Sequence, residues 1–469
     1  MNARKIAVFS IGPLGGALLG LISLPIVAWL YSAEDVGRLA MLQVALGLCM
    51  QLFSLGLDQA YVREYHESQN RPRLLKAAVL PGLAVLWLVA LIFLLAPGQL
   101  SLLLFDVNDA AIGVLVIICL IATLLSRFLS LILRMQERGL AFSMGQLLPK
   151  LIFVAIVGGY YLFSFGRDFT YLVFAQAASV IMVALVYLWG TRTEWLSAIT
   201  EKLDWSQLRG MLSYGMPLVV GGLSFWGLTM LDRLFLRSMS TFSELGIYSI
   251  ASSIAGVAMI FQSVFSTVWA PTVYKWAAEG IEPERVDLVT EYVLAAVVFM
   301  FCAVGLFSWV ITYFLPPAYH SVEYLVTACM GYPLLYTLSE ATSVGLGIAR
   351  RTKLLMLASI IAVAVSLIGN LLLVPRYGAA GASAVTIVAF WLYFVLRTEL
   401  SARVWRSFPR MGLYGMTFVC VLLSVTGALV KSKMGLILNF GWLLLLLLAV
   451  FFFKEILMKL LRKIRILVF

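Results

Sequence analysis

Asp35-Val36-Gly37-Arg38-Leu39-Ala40-Met41-Leu42-Gln43-Val44-Ala45-Leu46-Gly47 opens a long apolar run that closes at Tyr61-Val62-Arg63-Glu64-Tyr65. The same outline returns 209 residues on, from 35 to 244: Glu244-Leu245-Gly246 opens a run that closes at Ala270-Pro271-Thr272-Val273-Tyr274. A membrane protein built of two like halves usually keeps its working site in the crevice between them, where rocking one half on the other exposes it to each side in turn. The duplication therefore predicts a machine that moves something across a bilayer.

Composition agrees with that reading. Apolar residues make up 62% of the 469 and charged residues 12%, which excludes a soluble globular domain. The apolar runs are roughly 18 to 26 residues long, as an α-helix needs to cross the hydrocarbon, and lack the alternation of an outer-membrane barrel. The expected fold is an all-α integral membrane protein with about 14 transmembrane helices, near residues 6–31, 36–57, 77–96, 112–133, 143–163, 169–189, 212–236, 245–270, 289–313, 323–347, 355–374, 381–402, 412–430 and 436–453. The first run lacks a signal-peptide cleavage pattern and is expected to be retained as a helix.

Further echoes pair Met135-Gln136-Glu137-Arg138-Gly139 with Ile348-Ala349-Arg350-Arg351-Thr352, and Phe165-Gly166-Arg167 with Tyr377-Gly378-Ala379. Each unit then holds six helices, an even number, so the two repeats run parallel about an axis along the membrane normal. The expected domains are an N-terminal lobe over 1–205, a C-terminal lobe over 206–405, and helices 13 and 14 with a basic cytoplasmic tail over 406–469.

Loops on alternate sides carry 24 Lys and Arg against six. Because basic residues stay inside, both termini are expected in the cytoplasm. The net charge of +11 follows from that topology and calls for no nucleic-acid partner. Five cysteines stand singly within spans and the two histidines, His66 and His320, lie in loops on opposite faces, so neither a disulfide nor a metal site is expected.

The candidate site residues are the polar ones that lipid cannot satisfy. At 100° per residue, Gln43, Gly47, Gln51, Ser54 and Asp58 fall within an arc of roughly 80°. A shift of 209 gives Ser252, Gly256, Ile260, Ser263 and Thr267, again small and polar. In the fourth span Arg127, Arg134 and Arg138 lie within about 40° of one another, and Ser143, Gln146 and Lys150 share a face of the next, beside Pro149. Forked guanidinium donors and a compact ammonium suit a phosphate passing along these helices. Snorkelling to the headgroups is the competing reading for Arg127 and Lys150, and the favoured one for Arg397. Asp58 and Glu340 read as charge partners of the arginines or as proton or sodium sites, and tight packing competes for Gly47 and Gly256. In Asp232-Arg233, consecutive residues point about 100° apart, so one is assigned to the cavity, with Arg233 preferred, and the other to a neighbouring helix. Prolines 13, 25 and 217 and Gly215, Gly221 and Gly222 weaken the first helix of each unit, which suits a gate.

No Gly-x-x-x-x-Gly-Lys-[Ser/Thr] loop, His-Glu-x-x-His or Gly-x-Ser-x-Gly is present, and the outer loops are short. An enzyme is not expected.

Together, the six-plus-six-plus-two arrangement, Asp35-Val36-Gly37, Gly56-Leu57-Asp58, Arg63-Glu64-Tyr65, Asp232-Arg233, Gly246-Ile247-Tyr248 and Tyr377-Gly378-Ala379-Ala380-Gly381-Ala382 resemble bacterial polysaccharide-unit flippases of the O-antigen type. These belong to the multidrug, oligosaccharidyl-lipid and polysaccharide exporter superfamily. The resemblance implies a carrier that turns an undecaprenyl-pyrophosphate-linked oligosaccharide from the inner to the outer leaflet of the bacterial cytoplasmic membrane. It further implies partnership with membrane lipids, a polysaccharide polymerase and a chain-length regulator, and no cofactor beyond a coupling proton or sodium ion. On this reading Arg127, Arg134, Lys150 and Arg233 take the pyrophosphate, and Gln43, Gln51, Gln146, Ser252 and Ser263 the sugar. Asp58, Asp232 and Glu340 supply coupling or charge balance. Helices 13 and 14 would hold the prenyl tail, and the basic tail from Lys454 to Arg465 anionic headgroups. The rivals are a proton- or sodium-coupled drug antiporter of the same superfamily and an uncoupled scaffold of a polysaccharide-assembly complex.

Overall fold

The computed structural model describes residues 3–279, 284–430 and 435–459, apart from the side chains of 3–11, 13, 14 and 278. The described chain is helical, with no strand among the described residues. Its helices are α1 Ala3–Leu30, α2 Ala33–Phe53, α3 Leu57–Glu64, α4 Arg71–Leu94, α5 Pro97–Phe105, α6 Ala110–Met135, α7 Gly139–Leu162, α8 Phe169–Gly190, α9 Arg192–Thr200 and α10 Trp205–Met239. There follow α11 Phe242–Ala255, α12 Val257–Ala278, α13 Glu284–Phe307, α14 Val322–Cys329, α15 Gly331–Thr342, α16 Val344–Ile348, α17 Thr352–Tyr377, α18 Ala379–Val404, α19 Met411–Val430 and α20 Gly435–Phe452. Lys431 and Lys433 lie outside the described residues, as do Arg462, Lys463 and Arg465 of the expected basic tail.

Among the described residues, twelve helices are individually long and apolar enough to cross a membrane. The tenth expected span, read as unbroken over 323–347, is divided into α14, α15 and α16. Pro333 supplies a reason: it has no N–H to bond the Cys329 carbonyl, so the chain restarts its helix at Gly331.

The repeated acid-x-glycine signature is explained by helix capping. Asp35 N donates to Ser32 Oγ at 3.1 Å, and Glu244 N to Thr241 Oγ1 at 3.2 Å. Each repeat thus starts its second span with a hydroxyl cap and an acid three residues on, which satisfies N–H groups the helix leaves open. Glu244 does more: its carboxylate accepts from Ala379 N at 2.8 Å, at the start of α18. Gly378 sits there with φ +54°, and a Cβ would meet that carboxylate. The acid and the Tyr377-Gly378-Ala379 motif therefore form one joint.

The chain divides into two compact units, Met1–Arg237 and Ser238–Phe469. All but the last two residues of α10, expected to open the second lobe from residue 206, fall in the first unit. In that unit α1 lies along α7, α8 along α6 and α7, and α9 against α4. Leu57, Ala60, Leu74, Ala78, Phe128, Leu131 and Met211 form its buried core. In the second unit α18 packs on α15, α17 and α19, and α13 on α20. The small residues Ala379 to Ala384 at the start of α18 are all buried, which lets helices approach closely.

Candidate functional site

Lys150 stands in the middle of α7, about 17 Å from either end at 1.5 Å per residue. Its Nζ donates to the carbonyl of Gly16 in α1. The α1 face it meets is made of glycines: a Cβ at Gly20 would lie 3.0 Å from Nζ, and one at Gly12 3.0 Å from the Gln146 Oε1. Ser143, Gln146 and Lys150 share one face, as their spacing predicts, and that face is set against α1. Lys150 is half-buried, and no carboxylate among the described residues pairs with it. A mid-membrane ammonium with a single carbonyl partner retains donors for an anion.

Arg127 is placed differently from the expected rail. Its Nη2 and Nε donate to Asp58 Oδ2 at 2.7 and 3.2 Å, and Gln59 Nε2 adds a third donor to the same oxygen at 3.1 Å. Asp58 reaches this position because the second span is not one helix. Leu55 and Gly56 take φ of 52° and 68°, α2 stops at Phe53, and Asp58 falls in the first turn of α3. The helical wheel that placed Asp58 in line with Gln51 therefore does not apply past the break. The break is held by a backbone crossing: a Cβ on Gly56 would run into the main chain of Gly215 in α10. Residue 265, which is 209 beyond Gly56, lies inside α12, whereas the second unit interrupts its helix at Gly256.

The remaining α2 stripe faces α10 in part. Gln51 Nε2 donates to Gly222 O at 3.2 Å, and a Cβ on Gly47 would sit 3.1 Å from Trp226 Nε1, a buried donor with no acceptor among the described residues. Gln43 is exposed, and Arg134 is exposed at the end of α6. Arg138 donates to Gly190 O at 2.9 Å. Arg233 donates to Thr229 O at 3.1 Å within its own helix, while Asp232 is buried.

In the second unit Ser252 Oγ donates to Cys329 Sγ at 3.8 Å, and Ser263 Oγ bonds back to Ile260 O at 3.0 Å within its own helix. The polar centre there is Glu340. Its carboxylate accepts from Ser266, and its carbonyl from Trp269 Nε1 at 3.2 Å. Arg397, read from sequence as snorkelling, is 9% exposed; it donates to Ser339 Oγ at 2.9 Å and lies over the rings of Tyr393 and Tyr336, 5.1 and 5.7 Å from their centroids. Sequence reasoning missed Ser266, Tyr336 and Tyr393. The available signal was the four-residue spacing of Tyr332, Tyr336 and Glu340, which puts them on one face of α15.

Among characterised proteins, the probable low-salt glycan biosynthesis flippase Agl15 of Haloferax volcanii is 22% identical over 247 residues, 52% of this chain and 51% of that protein. The chain thus spans about half the length of that relative. In structure it is similar to the lipid II flippase MurJ in an inward closed conformation, with TM-score 0.70 and 12% identity over 96% of this chain and 100% of that one. It is also similar to an inward-facing multidrug resistance MATE family transporter of the MOP superfamily, with TM-score 0.55 and 14% identity over 85% and 98%. This is a multi-pass membrane protein with the fold of those transporters. A model of the polysaccharide biosynthesis protein family matches residues 3–276, more than half of the 469, and the chain belongs to that family.

Proposed function

We propose that the protein is a flippase that carries an undecaprenyl-pyrophosphate-linked oligosaccharide from the cytoplasmic to the outer leaflet of the bacterial cytoplasmic membrane, by alternating access, for O-antigen, capsule or exopolysaccharide assembly. Both termini then lie in the cytoplasm, and a polymerase and a chain-length regulator take up the product. A sugar pyrophosphate cannot cross hydrocarbon unaided, so it needs cations and hydrogen-bonding groups at membrane depth. The observation that supports the reading is Lys150, a mid-membrane ammonium that among the described residues has no carboxylate and bonds a main-chain carbonyl of α1. A pyrophosphate oxygen would take over that bond. Gln43, Gln51 and Gln146 offer amides to the sugar and Arg134 a charge at the entrance, while Arg127 is engaged by Asp58. Glu340, beside Ser266 and Arg397, is the carboxylate we assign to proton or sodium coupling.

Replacing Lys150 with Met should reduce glycan display about 10- to 100-fold at normal protein level, the worth of one charge-assisted hydrogen bond, and leave lipid-linked oligosaccharide on the cytoplasmic leaflet. Lys150→Arg should keep part of the activity. Full display from Lys150→Met, or a changed resistance to cationic drugs in its place, would refute the proposal.

A further inference from the structure

A second site lies in the first unit, away from Lys150, at the elbow between α8 and the short helix α9. Leu185, Val186 and Trp189 of α8 and Trp195 and Leu196 of α9 line a groove of about 640 Å³, with Arg192 at the corner. Leu185, Val186, Trp189 and Leu196 are all at least half exposed. The elbow is rigidly built. Trp195 Nε1 donates to Leu188 O at 2.9 Å, Thr191 Oγ1 to Tyr187 O at 2.7 Å, and Arg138 to Gly190 O at 2.9 Å. Gln136 Nε2 holds the Glu194 carboxylate at 2.5 Å, which ties α9 to the turn between α6 and α7. With those polar groups satisfied, the lining offers one cation above an apolar trough.

That cation is arranged for an outside partner. The Arg192 guanidinium lies 4.5 Å from the Trp189 ring centroid, and no carboxylate among the described residues pairs with it. Tryptophan and arginine at the end of a transmembrane helix mark the headgroup level of a bilayer. The two together present an apolar slot for an acyl chain and a stacked guanidinium for a phosphate.

We propose that the α8–α9 elbow binds one anionic phospholipid of the surrounding leaflet, its phosphate on Arg192 and one acyl chain between Trp189, Trp195 and Leu196. The charge sets the choice: a zwitterionic headgroup brings an ammonium toward Arg192, an anionic one does not. The bound lipid would brace α9, whose own contacts run to α4 and α8.

The test is native mass spectrometry of the full chain, delipidated in detergent and offered phosphatidylglycerol or phosphatidylcholine with identical acyl chains. The wild type should retain one phosphatidylglycerol about fivefold more tightly than phosphatidylcholine, the worth of one arginine beside an anionic headgroup. Arg192→Gln should abolish the preference, Trp189→Ala should weaken retention of both lipids, and Lys353→Gln should leave the preference intact. Trp189 is 73% exposed, so its loss leaves the core untouched. Equal retention of the two lipids, an unchanged preference in Arg192→Gln, or a doubled mass showing a second copy in the groove would overturn the proposal.

Discussion

The ion pair between Asp58 and Arg127 gives the sharpest test, because it separates a brace from a substrate ligand. At 2.7 Å the attraction is about 6 kcal/mol for an effective dielectric of about 20. Desolvation offsets most of that, and the Arg127 side chain is 38% exposed, so the net coupling should be about 1–2 kcal/mol. Either Asp58→Asn or Arg127→Gln leaves one charge without its partner at a helix junction. Each should lower the thermal midpoint of the detergent-solubilised protein by about 2–4 °C. The double variant should lose less than the sum of the two, since it leaves no orphan charge. Dye-monitored unfolding of the four proteins, in parallel with glycan display, reads both quantities. If Arg127→Gln abolishes display at an unchanged midpoint, and the double variant is no better, Arg127 is a ligand and the bracing argument fails.

Three further outcomes follow from the packing. Gly56→Ala and Gly215→Ala each drive a Cβ into facing backbone, and Gly56 has φ +68° besides, so both should cost about 1–3 kcal/mol and lower the folded yield on purification; Gly221→Ala, with nothing within 4 Å, should be silent. Ser32→Ala and Thr241→Ala each remove a helix cap and should cost about 1 kcal/mol, and similar losses at both would bear out the common role assigned to the repeated signature. The Glu201 carboxyl is held below its ordinary value of 4.5 by a hydrogen bond from Asn70, then by Arg73, with Lys76 nearby. Its contribution is therefore present above pH 4.5 and lost as pH falls through the depressed value. The midpoint difference between wild type and Glu201→Gln should shrink in acid, and a difference independent of pH would contradict this.

Much of the fold was legible from residue types alone. Apolar runs of membrane length and the acid-x-glycine repeat are local properties, and each of the fourteen expected spans coincides with one described helix or with a chain of short ones. The internal breaks were less visible. Pro333 signalled the restart at Gly331, but nothing local announced that Leu55 and Gly56 would leave the helix, since that turn depends on Gly215. The shared face of Ser143, Gln146 and Lys150 survived because it lies within one unbroken helix. The line from Gln51 to Asp58 did not, because it crosses a break.

What the chain determined by itself is that it crosses a membrane many times in two similar passages, and which of its residues lipid would reject. Burial of polar groups in hydrocarbon is so costly that composition and spacing alone decide these points. Which rejected residues find a partner in one another, and which keep a free hand, only the tertiary structure decided. Arg127 met Asp58 across 69 residues and Arg397 met Ser339 across 58, whereas Lys150 met a glycine carbonyl. Ion pairing falls off over a few ångströms, and distances of that kind between separate helices are not written in either helix's own periodicity.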